Sequence, residues 1–202
     1  MAQRLYLTYA EVQKIFQSIP AGKNCIRDRC MVIMCFIHGL RASELTGIKI
    51  NDIDFLSNLI YIRRIKNGFS TTHPLHPKEV LLLKKWLDLR SNYNKCQNEW
   101  LFLSNSGNKI SRQNFYNSLV KYGKLAGLSI KAHPHMLRHA CGFELADQGL
   151  DTRLIQDYLG HKNIRHTVHY TASNAARFSN IWQFSPHYKT DNEFKKTSFL
   201  AW

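Results

Sequence analysis

The chain has 202 residues, enough for one sizeable domain with a real core, and 44% of them are hydrophobic, which excludes extended disorder as the default. Lysine and arginine number 28 against 14 aspartate and glutamate, so the formal charge is +14 and a polyanionic partner is the leading expectation. The five cysteines (Cys25, Cys30, Cys35, Cys96, Cys141) form no Cys-x-x-Cys pair, the N-terminus lacks an apolar leader, and the longest apolar run (Met31 to Ile37) is far below the ~18 residues of a membrane span. A disulfide scaffold, a secreted protein and a membrane protein are therefore disfavoured, and a cytoplasmic protein is expected.

In chain order, Thr8-Tyr-Ala-Glu11 reads as a capping box opening a helix through Val12, Ile15, Phe16 and Ile19, ended by Pro20. Ile26 to His38 predicts a second helix, apolar almost all round and hence buried, stopped by Gly39. Arg41-Ala-Ser-Glu44-Leu45 begins a third. At Ile48 the texture changes. Asp52–Phe55 predicts a short strand, and Leu59–Lys66 with Phe69–Leu75 predict a hairpin closed by the two-residue turn Asn67-Gly68, which puts Lys66 at its tip. Lys78–Leu89 returns to helix, Arg90–Glu99 is a polar loop, and Trp100-Leu-Phe-Leu103 is a short buried segment.

Ser111 caps a further helix carrying Phe115, Leu119, Tyr122 and Leu125, before Gly127. His135 and Arg138, three apart, share a helix face. Asp151 or Thr152 caps another helix, whose apolar stripe is Leu154, Ile155, Tyr158 and Leu159 and whose C′ residue is Gly160. Ala175–Phe184 has the spacing of one more amphipathic helix, Pro186 ends it, and the last 16 residues carry no pattern. The fold class expected is α+β, mainly α-helical, with a small antiparallel sheet or hairpin on one side.

Arg41, Lys66, His135, Arg138, His161 and Tyr170 suit phosphodiester chemistry when taken as one set. In-line attack on phosphorus builds charge on the nonbridging oxygens, and two guanidiniums can clamp those oxygens with planar, charge-assisted hydrogen bonds. A phenol with an ordinary pKa near 10 is only about 0.1% ionised at pH 7, so a histidine must take its proton and nearby cations must favour the phenolate. A lysine on a hairpin is a sensible acid for the leaving oxygen. Neither ATP nor a metal is needed if two arginines supply the charge a cation would bring. Each residue alone has a plain structural reading: a helix edge for His135 and Arg138, a polar hairpin tip for Lys66, a core ring for Tyr170.

Gly39-Leu-Arg41-Ala-Ser-Glu44-Leu45, Lys66 eight residues before Pro74-Leu75, Pro134-His135-Met-Leu-Arg138-His139, Leu159-Gly160-His161 and Tyr170 nine residues on resemble the tyrosine recombinases, or phage integrase family. The match runs from Thr8 to Thr171. The resemblance implies that Tyr170 is a nucleophile forming a 3′-phosphotyrosyl bond and that Arg41 and Arg138 hold the scissile phosphate. It also implies that Lys66 protonates the departing 5′-oxygen, His135 assists proton transfer at the tyrosine, His161 contacts the phosphate, and Glu44 supports the site from behind. The domain expected is 1–186, with 175–185 as a helix exchanged between protomers, 187–202 as a tail, and no separate N-terminal DNA-clamping domain. That shortness, with His169-Tyr-Thr-Ala-Ser-Asn-Ala-Ala-Arg177-Phe, resembles the short fimbrial phase-variation invertases.

The partners so implied are double-stranded DNA with inverted-repeat sites, a homotetramer on synapsed DNA and accessory DNA-bending proteins, within the nucleoid. No cofactor is expected. Zinc would need a convergent neutral set, and arginines and lysines intrude among His133, His135, His139, His161, His166 and His169. A magnesium nuclease would need clustered carboxylates, and Asp52 and Asp54 read as solvated turn residues. Two alternatives stay open at this point: a non-catalytic DNA-binding regulator on the same fold, and a type IB topoisomerase that relaxes DNA without exchanging partners.

Overall fold

Thr8 starts the first helix, α1 (Tyr9–Ser18), by a reciprocal cap. Its hydroxyl accepts from the Glu11 N–H at 3.3 Å, and the Glu11 carboxylate accepts from the Thr8 N–H at 2.8 Å. The computed structural model describes residues 4–65, 68–93 and 97–172. The second helix, α2 (Cys25–Ile37), is the axis of the core: Cys30 to Phe36 are all buried, which is why its sequence shows no polar stripe. Each fully buried Met, Ile or Val there contributes about 1.5–3 kcal/mol of transfer free energy. Around α2 pack α4 (Pro77–Arg90), α5 (Arg112–Leu125) and α6 (Pro134–Asp147). Leu101, Phe102 and Leu103 are buried as expected, and the Trp86 indole N–H donates to the Leu101 carbonyl at 2.9 Å. The four-residue helix α3 (Ala42–Leu45) follows the left-handed Gly39 turn and carries Glu44 into the interior.

A three-stranded antiparallel meander stands beside this bundle: β1 (Ile53–Asp54), β2 (Leu59–Ile62) and β3 (Thr71–Pro74). The hairpin departs from its sequence reading in two ways. A two-residue turn at Asn67-Gly68 would set Ile62 opposite His73, whereas Ile62 faces Thr71 and Ile60 faces His73. The ladder also stops at Ile62 rather than continuing to Lys66. Tertiary forces override the turn signal. Along β2 the inward positions are Ile60 and Ile62, and Arg64 takes the next one. Its side chain is drawn into buried carbonyls, and its N–H is donated to the Ser70 hydroxyl at 3.2 Å instead of to a strand partner. Leu59, Tyr61 and Ile65 consequently lie on the exposed face. Lys66 and Asn67 fall outside the described residues, as does the helix expected at Ala175–Phe184.

The C-terminal part of the described chain sets three helices together. α6 begins with Pro134 at its first turn, and α7 (Thr152–Leu159) is capped by Asp151, whose carboxylate accepts from the N–H groups of Arg153 and Leu154. Gly160 ends α7 in the left-handed region at φ +66°. A seven-residue helix, α8 (Arg165–Thr171), then carries Tyr170; its sequence, with Thr167, Val168 and Thr171, gives no helical signal. Tertiary bonds hold it. The hydroxyls of Thr152 and Thr171 meet at 2.6 Å, and Thr167 is buried against His161.

Candidate active site

Arg41, His135, Arg138, His161 and Tyr170 line one cleft of about 470 Å³, together with His139, Lys162, Asn163, His166 and His169. Five of the six expected catalytic residues thus converge from α3, α6, the end of α7 and α8. The sixth, Lys66, lies outside the described residues; Gly68, two residues further along the sequence, is on the cleft wall.

The floor is a charged network around Glu44, which is 4% exposed. Its carboxylate takes the Arg41 guanidinium at 2.6 Å and the Arg64 guanidinium at 3.0 Å, with Arg138 at 3.8 Å. The Arg41 N–H also donates to it, at 2.9 Å, and the Ile65 N–H at 3.3 Å. Burial alone would raise this carboxyl's pKa; Arg64, the Arg41 N–H and Arg138 outweigh it and hold the group below the usual carboxylate range. Glu44 therefore lies behind the cleft, in contact with the guanidiniums of Arg41 and Arg64. Arg138, 1% exposed, donates to the carbonyls of Gly39 and Leu159, the latter at 2.9 Å. Burial first, then Arg41 and Arg64, lower its pKa to about 10, so it keeps its charge at neutral pH.

Tyr170 is 2% exposed, and its ring lies on the α6 backbone at Gly142, where a Cβ would come within 2.6 Å of it. Its hydroxyl meets His139 Nδ1 at 2.9 Å. His135, the residue expected to assist proton transfer, stands one turn back on α6, edge-on to His139 with ring centroids 4.4 Å apart. His139 is thus the contact that the sequence reading did not assign. Its spacing of four from His135 was the available signal, since residues i and i+4 share a helix face. Burial, followed by His135 and His169, pushes His139 down to about 4, so it is neutral at pH 7 and able to accept a proton. Burial also pushes Tyr170 up to about 12, although Arg138 pulls the other way. With nothing bound, roughly one phenol in 100,000 is ionised at pH 7.

His161, 8% exposed, is turned by its Nδ1 contact with the Thr167 hydroxyl at 2.9 Å, leaving the other face of the ring toward the cleft. Burial, then Arg138 and Arg41, lower it to about 3, so the ring is neutral at pH 7. Arg64 is the second residue the sequence reading missed; alternation along β2 places it inward, and only its buried partners reveal why a charge is tolerated there.

The Gly142 contact yields a prediction. Gly142→Ala should push the Tyr170 ring off its seat and cost about 1–3 kcal/mol of overpacking strain. Covalent attachment to DNA should fall far more than the urea midpoint. An unchanged attachment rate would mean that the working position of Tyr170 differs from this one.

A buried guanidinium (Arg138) and a half-buried one (Arg41) over a phosphate-sized cleft, with a phenol hydrogen-bonded to a neutral imidazole beside them, on this helical fold with its small sheet, define a tyrosine recombinase. The phage integrase family model matches residues 6–177, and the chain belongs to that family. It is 55% identical over 180 residues to the type 1 fimbriae regulatory protein FimB of Escherichia coli K12, covering 89% of this chain and 90% of that one. It is 48% identical over 184 residues to FimE of the same strain, covering 91% and 93%. Among solved structures, XerA recombinase superposes with a TM-score of 0.77 at 28% identity, over 93% of this chain and 68% of that one. XerH bound to palindromic difH substrate, in its post-cleavage complex, gives 0.73 at 27% identity, over 88% and 53%. The protein is a site-specific recombinase acting on DNA. Among the described residues no helix is long and apolar enough to cross a membrane.

Proposed function

We propose that this recombinase inverts a DNA segment between inverted repeats and so switches expression of a fimbrial operon, acting in the cytoplasm on nucleoid DNA. The observation that carries the chemistry is the convergence of Arg41, Arg138, His161 and the Tyr170–His139 pair on one cleft. The Tyr170 oxygen attacks the scissile phosphorus, forming the 3′-phosphotyrosyl bond as the bond to the 5′-oxygen breaks. The phenol proton passes to His139, with His135 beside it, and Lys66 gives a proton to the departing 5′-oxygen. Arg41 and Arg138 clamp the nonbridging oxygens and His161 donates a further hydrogen bond. The aryl phosphate keeps a good leaving group, so a 5′-hydroxyl from the partner strand reverses the step without ATP. The likeness to FimB and FimE across nine-tenths of their length supports the fimbrial assignment.

Exchange between two sites calls for four protomers, with accessory proteins bending the intervening DNA. The apolar pattern at Ala175–Phe184 supports a helix passed from each protomer to a neighbour within a catalytic domain ending near residue 186, ahead of a tail. A cavity of about 150 Å³, lined in part by Phe36, Ile37, Cys141, Leu145 and Tyr158 and also by Glu144 and Gln148, has room for one large apolar side chain of such a helix.

The decisive assay is a supercoiled plasmid carrying a promoter between candidate inverted repeats. Inversion that disappears on Lys66→Ala, with covalent cleavage that returns on a separate duplex whose 5′-bridging oxygen is replaced by sulfur (a thiolate leaves without a proton), supports the reading. Relaxation without inversion would make the protein a topoisomerase, and neither outcome with tight binding would make it a regulator. Binding itself should weaken steeply with salt, each neutralised phosphate adding about 0.9 to the slope of log K against log salt. A flat dependence would refute a broad basic footprint.

A further inference from the structure

Arg64 has no role in the chemistry above and does not line the cleft, yet it is the most heavily engaged cation near it. The residue is 6% exposed. One terminal nitrogen donates to Glu44 at 3.0 Å and to the Gly39 carbonyl at 3.3 Å; the other donates to the carbonyls of His38 at 3.1 Å and Tyr158 at 2.7 Å. Arg138 makes a parallel connection one residue along, from Gly39 to Leu159. Two guanidiniums therefore staple the carbonyl end of α2 to the carbonyl end of α7. Such ends carry unpaired carbonyls and negative partial charge, so cations are favoured between them. The two stapled ends lead directly to Arg41 and to His161.

The charges explain why two cations are needed. Glu44 is a buried carboxylate with three guanidiniums in reach: Arg41 at 2.6 Å, Arg64 at 3.0 Å and Arg138 at 3.8 Å. Arg41 and Arg138 face the cleft and Arg64 does not. Without Arg64 the buried carboxylate would draw in the nearest cation not yet in direct contact, Arg138 at 3.8 Å, at the expense of its bonds to the Gly39 and Leu159 carbonyls.

We infer that Arg64 is a positioning residue for the recombination reaction. It satisfies Glu44 from behind and ties α2 to α7, so that Arg138 is left to grip the scissile phosphate. Because Ile65 N–H also rests on Glu44, the same anchor holds the backbone at the residue that precedes Lys66 in the sequence. Lysine could match the charge on Glu44 but not span four acceptors, since an ammonium is a point charge and not a planar fork.

This inference rests on the reading of Tyr170 as nucleophile, and the test separates the two. The rate of covalent Tyr170–DNA attachment and the DNA affinity are measured in the full chain for wild type, Arg64→Met, Arg64→Lys and Arg64→Met with Glu44→Gln. Affinity should stay within about threefold, while attachment should fall on the order of 100-fold in Arg64→Met, the loss typical of one charge-stabilising donor. Arg64→Lys should recover part of that loss. Adding Glu44→Gln should recover at least tenfold, because the carboxylate that captures Arg138 is gone. A double variant as slow as the single one, or slower, would overturn the inference, as would a full-rate Arg64→Met. The side-chain Nε–H resonance of Arg138 gives a readout independent of activity: it should shift in Arg64→Met and return towards its original position in the double variant. If Arg64→Met does not fold, the same resonance in Arg64→Lys against wild type decides; an unmoved signal sinks the positioning role. Wild type that forms no adduct would instead remove the nucleophile reading and leave the resonance to settle Arg64.

Discussion

Tyr170→Phe is expected to bind DNA as wild type does and to form no denaturant-resistant protein–DNA adduct. The substitution deletes one oxygen from a buried ring and leaves its seat on Gly142 and its contact with Phe143 in place. Little stability should be lost, because the hydroxyl's partner, His139, lines the cleft and can be hydrated there. The loss of attachment should be complete, since no other described group in the cleft pairs a phenol with an imidazole. Tyr158 is the nearest rival by sequence, but its hydroxyl donates to the Ile37 carbonyl at 3.0 Å, and burial pushes its pKa well above the ordinary phenol value. An adduct surviving in Tyr170→Phe would move the nucleophile elsewhere and dismantle the mechanism.

The second large effect should come from Glu44. Glu44→Ala strands Arg64 and Arg138, both buried, without their carboxylate. Breaking such an arrangement by removing one partner costs about 3–5 kcal/mol, because the remaining charges stay desolvated. Equilibrium urea unfolding should register that loss directly, and attachment to DNA should fall with it as Arg41 loses its anchor. The same residue sets an acid limit. Its folded pKa lies below the ordinary value of 4.5, so its stabilising contribution is fully present above about pH 4.5 and is lost as pH falls through the lower folded value. Glu44→Gln should flatten that part of the stability–pH curve. A wild-type and Gln profile of identical shape between pH 5 and 3 would show that Glu44 is not the group responsible.

Much of this molecule is legible in its sequence, for reasons that are local. The capping box at Thr8 and Glu11, the all-round apolar run of α2, the Asp151 cap and the Gly160 stop each depend on residues within one or two turns, and each stands where its pattern puts it. The spacing of His135 and Arg138 fixes a shared helix face regardless of what surrounds it. The order of Arg41, Arg138, His161 and Tyr170 likewise sufficed to suggest one phosphate-handling set.

Tertiary structure decided what depends on distant partners. The Asn67-Gly68 signal was real as a local preference, but the ladder ends at Ile62, because Arg64 gains more from the carbonyls of His38 and Tyr158 than from a strand neighbour. α8 forms from a weak helical sequence because Thr152 and His161 hold it from outside. The choice of His139 over His135 as the neighbour of Tyr170 turns on where α8 docks against α6, and no spacing within α6 encodes that. Composition and periodicity determined the elements and their order; the depth of burial around Glu44 determined which charges serve the phosphate and which serve one another.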